Sequence, residues 1–231
     1  FEVIGTNVGI HTAEGLPLIG LPALRLSRSS KALKRTMDLI LSITGLVLLA
    51  PLFAAVAVWI KFDSRGPVFF RQLRMGAEEQ TFEIFKFRTM DLDADARKHE
   101  FAALNKHNGN GGDPRMFKIP NDPRVTRSGS WLRRFSIDEL PQLINVVRGE
   151  MSLVGPRPLI LEEDQHVVDW RRRRLNLKPG ITGLWQVLGR DDIPFEEMVR
   201  LDYVYVTTWS MLNDLKLILR TLPALVRARA G

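Results

Sequence analysis

The chain has no cysteine, only four histidines and only two tyrosines among 231 residues. Without cysteine there is no disulfide and no thiolate metal site, and the composition fits a reducing compartment. The histidines are scattered at 11, 99, 107 and 166, so an imidazole-built metal centre is not expected. One glycine-rich stretch, HNGNGGDP at 107–114, lacks the Lys-Ser/Thr that completes a P-loop and reads as a connecting loop. No internal repeat is visible, and no aromatic–basic interleaving of the kind found in nucleic-acid binders. Acidic residues are the minority charge: 26 Asp and Glu against 33 Lys and Arg, a net charge of +7. That surplus attracts phosphorylated ligands, anionic lipid or nucleic acid alike. The length suits one large domain or two small ones. The sequence begins with Phe1, and residues 1–30 are expected to be the tail of an upstream domain or a linker.

What the chain has in abundance is one apolar run, MDLILSITGLVLLAPLFAAVAVWI at 37–60, with Asp38 as its one charge. About 20 apolar residues suffice to span a bilayer. A nucleic-acid binder in water would not carry such a run. Pro51 lies just past the middle, where it removes a backbone donor and kinks a helix. Lys31, Lys34 and Arg35 precede the run, and Lys61, Arg65, Arg71 and Arg74 follow it, so both flanks prefer the cytoplasmic side. A helix over 31–62, bent at Ala50–Pro51 so that it enters and returns through one leaflet, satisfies both flanks. A straight span and a buried core helix are the competing readings.

Downstream, 68–74 and 81–88 predict two strands around a polar turn at Gly76–Gln80. Residues 91–106 read as a charged helix. Ser136 followed by Glu139 has the S-x-x-E spacing of a capping box, which predicts a helix opening there. Leu140, Leu143, Ile144 and Val147 recur on its core face, and Gly149 ends it. A further helix is predicted over 162–177, with the charged run Arg171–Arg174 at its end. A last amphipathic helix is predicted over 196–229, carrying Trp209 and Leu212.

The chemistry concentrates in RRFSIDELPQLINVVRGEMSLVGPRP, 133–158. Asp138 and Glu139 stand side by side, with Arg133, Arg134, Arg148 and Arg157 around them. A carboxylate at a helix start is favoured in its ionised form, able to hold Mg²⁺ or attack phosphorus. Guanidinium groups bind phosphate oxygens in pairs. Adjacent acids among such cations suggest chemistry on a phosphate ester. A non-catalytic membrane-surface scaffold, and a glycosyl transfer that releases UDP, remain open as alternatives.

Six ordered blocks, KRTMDLIL (34–41), GPVFFRQLRMG (66–76), FKFRTM (85–90), DPRVTRSGSWLRRFSIDELPQL (122–143), MSLVGPRP (151–158) and KPGITGLWQVLGR (178–190), resemble the bacterial sugar transferase family. These are monotopic phosphoglycosyl transferases acting on polyprenyl phosphate. The resemblance covers about 31–225. It implies a mostly helical α/β catalytic domain over 63–231, small and membrane-associated, with a re-entrant membrane helix hairpin and surface amphipathic helices. It also implies transfer of a sugar 1-phosphate from a UDP-sugar to undecaprenyl phosphate, with release of UMP, at the cytoplasmic face of the bacterial inner membrane. Asp138 falls on the family's nucleophile, with Mg²⁺ beside it, and Glu139 on its acidic partner. Lys86, Arg88, Arg133 and Arg157 match positions near phosphates, while Gln186 and Arg190 match the border of the nucleotide-sugar. The sugar is expected to be a hexose, the partners are substrate and lipid bilayer rather than nucleic acid, and a homodimer is compatible with the apolar C-terminal segment. Two departures stand out: Leu188 replaces a small polar residue, and Glu78-Glu79 occupy a turn where glycine and basic residues are common.

Overall fold

The computed structural model describes residues 9–13, 16–20, 26–106, 113, 115, 117, 119–189 and 193–226. Arg190 and most of the 107–114 loop lie outside these. Seven helices and three two-stranded sheets are found among the described residues. A hairpin of β1 (Gly9–Ala13) and β2 (Leu16–Gly20) precedes the long helix α1 (Arg28–Asp63). The antiparallel pair β3 (Phe69–Met75) and β4 (Thr81–Phe87) follows. Then come α2 (Arg127–Arg134), α3 (Gln142–Arg148), β5 (Ser152–Val154) and α4 (Leu161–Asp164). The chain closes with β6 (Gly180–Thr182), α5 (Leu184–Leu188), α6 (Phe195–Thr207) and α7 (Met211–Val226). β5 and β6 pair in parallel.

α1 is long and apolar enough to cross a membrane. It runs through Pro51 as one helix and is not divided at Ala50–Pro51. A core helix would bury its middle, yet Val47 and Leu48 are 68% and 73% exposed. Both of its ends are fastened to the same globular body. At the start, the Lys34 ammonium donates to Asp214 (2.6 Å) and to the Val154 carbonyl (2.9 Å). Tyr205 and Trp209 also donate to Asp214. Burial pushes the Tyr205 hydroxyl well above its ordinary pKa, and Asp214 adds to the shift, so the hydroxyl stays a donor. Arg35 donates to the carbonyls of Val146 and Val147 at the end of α3, where a cation suits the helix dipole. At the far end, Val56 and Ile60 pack with Phe87 and Leu132, and Asp63 accepts from the Ser128 amide.

α3 joins this body to the hairpin through a buried amide. Asn145 accepts from the Phe85 amide (2.9 Å) and donates to the Glu83 carbonyl (2.7 Å). Val146 and Met151 pack with Phe82 and Ile84 of β4. A second apolar cluster joins β5 to α6 and α7 through Val154, Tyr205, Trp209 and Leu217.

Several predicted helices are divided. The capping box does not form: Ser136 is left-handed (φ 54°) with no side-chain cap bond, Ile137–Glu139 is a single 3₁₀ turn, and α3 starts only after Pro141. Proline, lacking an N–H, suits that entry to the helix and interrupts any helix begun earlier. The buried face of α3 is Gln142, Leu143, Asn145 and Val146, with Ile144 and Val147 half-buried. The 162–177 helix is α4 followed by a 3₁₀ segment, Asp169–Asn176, and the 91–106 helix reduces to a 3₁₀ segment, Ala96–Leu104. The C-terminal helix is interrupted at Thr208, giving α6 and α7; Trp209 is buried, while Leu212, Leu215 and Leu219 are exposed. In the turn between β3 and β4, Glu78 and Glu79 both have positive φ (53° and 62°), a conformation that glycine adopts without steric cost.

Candidate active site

A cavity of about 490 Å³ opens between the β3–β4 hairpin, the 3₁₀ turn 137–139 and the loop after β5. Lys86, Arg88, Arg133, Asp138, Glu139, Arg157 and Gln186 all line it. Seven of the eight site residues expected from sequence are therefore brought together from four separate stretches of chain. The eighth, Arg190, lies outside the described residues.

Each stretch is held in place for a local reason. On β4, Lys86 pairs directly across from Phe70, and Ile84 across from Gln72, so these side chains share one face of the hairpin. α2 is capped by Thr126, whose hydroxyl accepts from the Gly129 amide (3.0 Å). A Cβ at Gly129 would stand 2.1 Å from the Thr89 carbonyl oxygen, so only glycine allows α2 to approach the end of β4 this closely. Arg133, in the last turn of α2, donates through Nε to the Thr89 hydroxyl (2.9 Å). The left-handed Ser136 then reverses the chain and turns Asp138 and Glu139 into the cavity. A non-glycine residue in that conformation is uncommon and concentrates at functional sites.

Asp138 is 7% exposed. Glu139 is more open and takes a salt bridge from Lys86 (2.8 Å). The adjacent acids are thus placed differently: one is buried at the cavity wall, the other is tied to a lysine that can share its proton or its ligand. Arg157 follows β5, and its guanidinium stacks over the Trp185 ring at 4.9 Å. Gln186, on α5, donates to the Ile181 carbonyl (3.1 Å), and its buried Oε1 has no hydrogen-bond partner among the described residues. The GPRP and KPG segments meet backbone to backbone: a Cβ at Gly180 would lie 2.0 Å from the Gly155 nitrogen.

Arg88 lines the cavity, but its guanidinium is committed to structure. It donates to the Ser64 and Arg65 carbonyls and the Ser64 hydroxyl, tying the end of α1 to β4. Arg74 and Glu163 line the same cavity and were not among the residues expected there. Arg74 donates to the Pro158 carbonyl (3.2 Å) and to Gln72 (2.6 Å). Burial, reinforced by the Arg157 charge, lowers its pKa to about 10, so it remains a cation at neutral pH. The signal was available in strand alternation: Phe70, Gln72 and Arg74 stand at every second position of β3 and so share the face that carries Lys86.

Two guanidinium groups and a lysine facing two adjacent carboxylates across one cavity suit a phosphate ester held beside a carboxylate nucleophile. Comparison with known proteins points the same way. The model of the family described as bacterial sugar transferase matches residues 29–228. The exopolysaccharide production protein ExoY of Sinorhizobium fredii is 41% identical over 86% of this chain and 87% of its own length. The galactosyl transferase CpsE of Streptococcus agalactiae is 40% identical over 94% of this chain and 48% of its own. The undecaprenyl-phosphate galactose phosphotransferase of Salmonella typhimurium is 39% identical over 87% of this chain and 42% of its own. The chain therefore spans less than half the length of the last two relatives.

Proposed function

The chain belongs to the bacterial sugar transferase family, and we propose that it transfers a hexose 1-phosphate from a UDP-sugar to undecaprenyl phosphate, releasing UMP. The observation that carries this reading is the convergence of Asp138 and Glu139 with Lys86, Arg133 and Arg157 on one cavity. A relative of similar sequence is named for galactose transfer to undecaprenyl phosphate.

In the first step an Asp138 carboxylate oxygen attacks the β-phosphorus of the donor. The bond from that phosphorus to the bridging oxygen breaks, and its electron pair leaves with UMP. The product is a phosphosugar ester on Asp138. In the second step an oxygen of the lipid phosphate attacks the same phosphorus and expels the carboxylate, giving a polyprenyl diphosphate sugar. Glu139, paired with Lys86, positions the incoming lipid phosphate and accepts any proton it carries. Arg133 and Arg157 neutralise the phosphate oxygens, with Arg74 adding positive charge beside Arg157. Gln186 Oε1, without a partner among the described residues, offers an acceptor to a hydroxyl of the nucleotide-sugar.

Mg²⁺ suits this donor set. Among the described residues no cluster of three or more acids or histidines could cage a metal. Mg²⁺, however, is commonly held by one or two carboxylates, with substrate phosphates and water completing its shell. Asp138 would hold it, and when bound it would offset charge on the departing nucleotide.

The acceptor is a membrane lipid, so the cavity must sit at headgroup level. The attachments of α1 support an anchor that stays on one side. Lys34 and Arg35 at its start, and Asp63 and Ser64 at its finish, bond to the same body. One body cannot lie on both faces of a bilayer, so in this reading both ends of α1 stay on the cytoplasmic side of the inner membrane and its exposed apolar middle, around Pro51, dips into that leaflet.

The test is covalent labelling with a sugar-radiolabelled UDP-hexose in the absence of lipid. Wild-type protein is expected to retain label through denaturation, and Asp138→Asn none. Equal labelling of both would overturn the assignment of the nucleophile.

A further inference from the structure

We propose that Arg174 and Asp202 are positioning residues for Arg157: a buried ion pair that clamps the Pro156–Pro158 backbone and so fixes the Arg157 guanidinium over the catalytic cavity. The inference rests on the reading that Arg157 binds a substrate phosphate.

Arg174 belongs to a run of four arginines, Arg171–Arg174. Composition alone reads that run as a solvated face, but Arg174 is 0% exposed. Charged side chains are almost never fully buried unless paired. The hydrogen-bonded partner is Asp202 of α6, itself 1% exposed, which accepts from Arg174 Nε (3.2 Å) and Nη2 (2.7 Å), while the buried Asp164 carboxylate stands 3.8 Å from Nη1.

Both members of the pair also grip the Arg157 backbone. The Asp202 carboxylate accepts from the Arg157 amide (3.2 Å), and Arg174 Nη2 donates to the Arg157 carbonyl. The neighbouring groups are taken as well. The Pro156 carbonyl accepts from the Gly180 amide (2.9 Å), and the Pro158 carbonyl from Arg74 (3.2 Å). Proline has no N–H and a fixed φ. Every polar backbone group of this tripeptide is therefore bonded. The side-chain end is held separately, by stacking on Trp185.

Stability does not account for this arrangement. A buried ion pair often contributes no more than apolar residues of the same volume. Burial pushes the Asp202 carboxyl up in pKa, with Arg174 opposing the shift. What the pair supplies is a single backbone geometry at the point where one arginine must meet a phosphate. Small displacements there are costly, because an error of about 1 Å in a reacting geometry can lower rates by roughly 100-fold.

The experiment is a double-mutant cycle on the detergent-solubilised full chain. Asp202→Asn and Arg174→Lys are each placed in the wild-type and Arg157→Lys backgrounds. kcat/KM for UMP release is measured with undecaprenyl phosphate and UDP-galactose or UDP-glucose, whichever the chain turns over. Thermal unfolding is followed in parallel. Each variant is expected to lower kcat/KM by about 10-fold or more in wild type, but by less than about twofold in the Arg157→Lys background. Asp202→Glu, which keeps the charge but lengthens the arm that holds the Arg157 amide, is expected to give the same cycle and serves if either pair variant fails to fold. Losses that multiply in full across both backgrounds would overturn the proposal, since a merely structural pair acts regardless of residue 157. An Arg157→Lys enzyme as active as wild type would instead overturn the phosphate-binding reading beneath it.

Discussion

Replacing Lys34 by methionine isolates the attachment of the membrane helix. Lys34 and Asp214 have side chains 8% and 0% exposed and lie 2.6 Å apart. Methionine keeps the apolar stem and removes the charge, leaving Asp214 buried as an anion. Breaking such a pair costs about 3–5 kcal/mol. Asp214 keeps its bonds from Tyr205 (2.8 Å) and Trp209 (3.0 Å), which places the loss at the low end, about 3 kcal/mol. For a chain of this size each kcal/mol moves Tm by about 2–4 °C, so Lys34→Met should lower it by roughly 6–12 °C. The assay is tryptophan-fluorescence melting in detergent. Adding Asp214→Asn removes the stranded charge, keeps an acceptor for Trp209 and gives the Tyr205 hydroxyl an amide donor while that hydroxyl donates to the Val154 carbonyl, so the double variant should melt above Lys34→Met. A shift under about 2 °C for the single variant, or no recovery in the double, would refute the claim that this ion pair secures α1.

Lys86→Met should lower kcat/KM by roughly 10- to 100-fold without unfolding the chain, because it removes the Glu139 partner and one phosphate-facing cation; steady-state UMP release checks this. Asn145→Ala should destabilise by about 2–3 kcal/mol, since the Phe85 amide and Glu83 carbonyl lose their buried partner; denaturant unfolding measures it. Glu78→Gly should raise Tm by a few degrees, because the left-handed backbone at 78 costs about 1 kcal/mol with a side chain present. Pro51→Ala should leave both flanks of α1 on the same side of the bilayer, because each is bonded to the same body; accessibility labelling of single cysteines placed in the two flanks reads this out, and a far flank labelled from the opposite side would contradict it.

The strands around 68–88 were legible because alternation and a polar turn are local signals, and the apolar run was legible by length alone. The site residues were legible as motifs, yet what binds those motifs together was not. Gly155 and Gly180 meet because neither bears a Cβ, a fact about two backbones 25 residues apart in sequence. The capping-box spacing at Ser136 misled because Pro141 restarts the helix and Ser136 adopts a left-handed turn. That departure from helical expectation is what presents Asp138 and Glu139 to the cavity. Arg174 was indistinguishable from its three neighbours in sequence, since its burial depends on Asp202 arriving from α6.

The most direct test of the central claim is UMP release from a panel of UDP-sugars, with the solubilised chain, Mg²⁺ and undecaprenyl phosphate. UMP is expected from one hexose donor, in amounts matching the lipid-linked sugar formed, and none when lipid or metal is withheld. UDP in place of UMP would contradict transfer of the sugar phosphate and show that the sugar alone is moved.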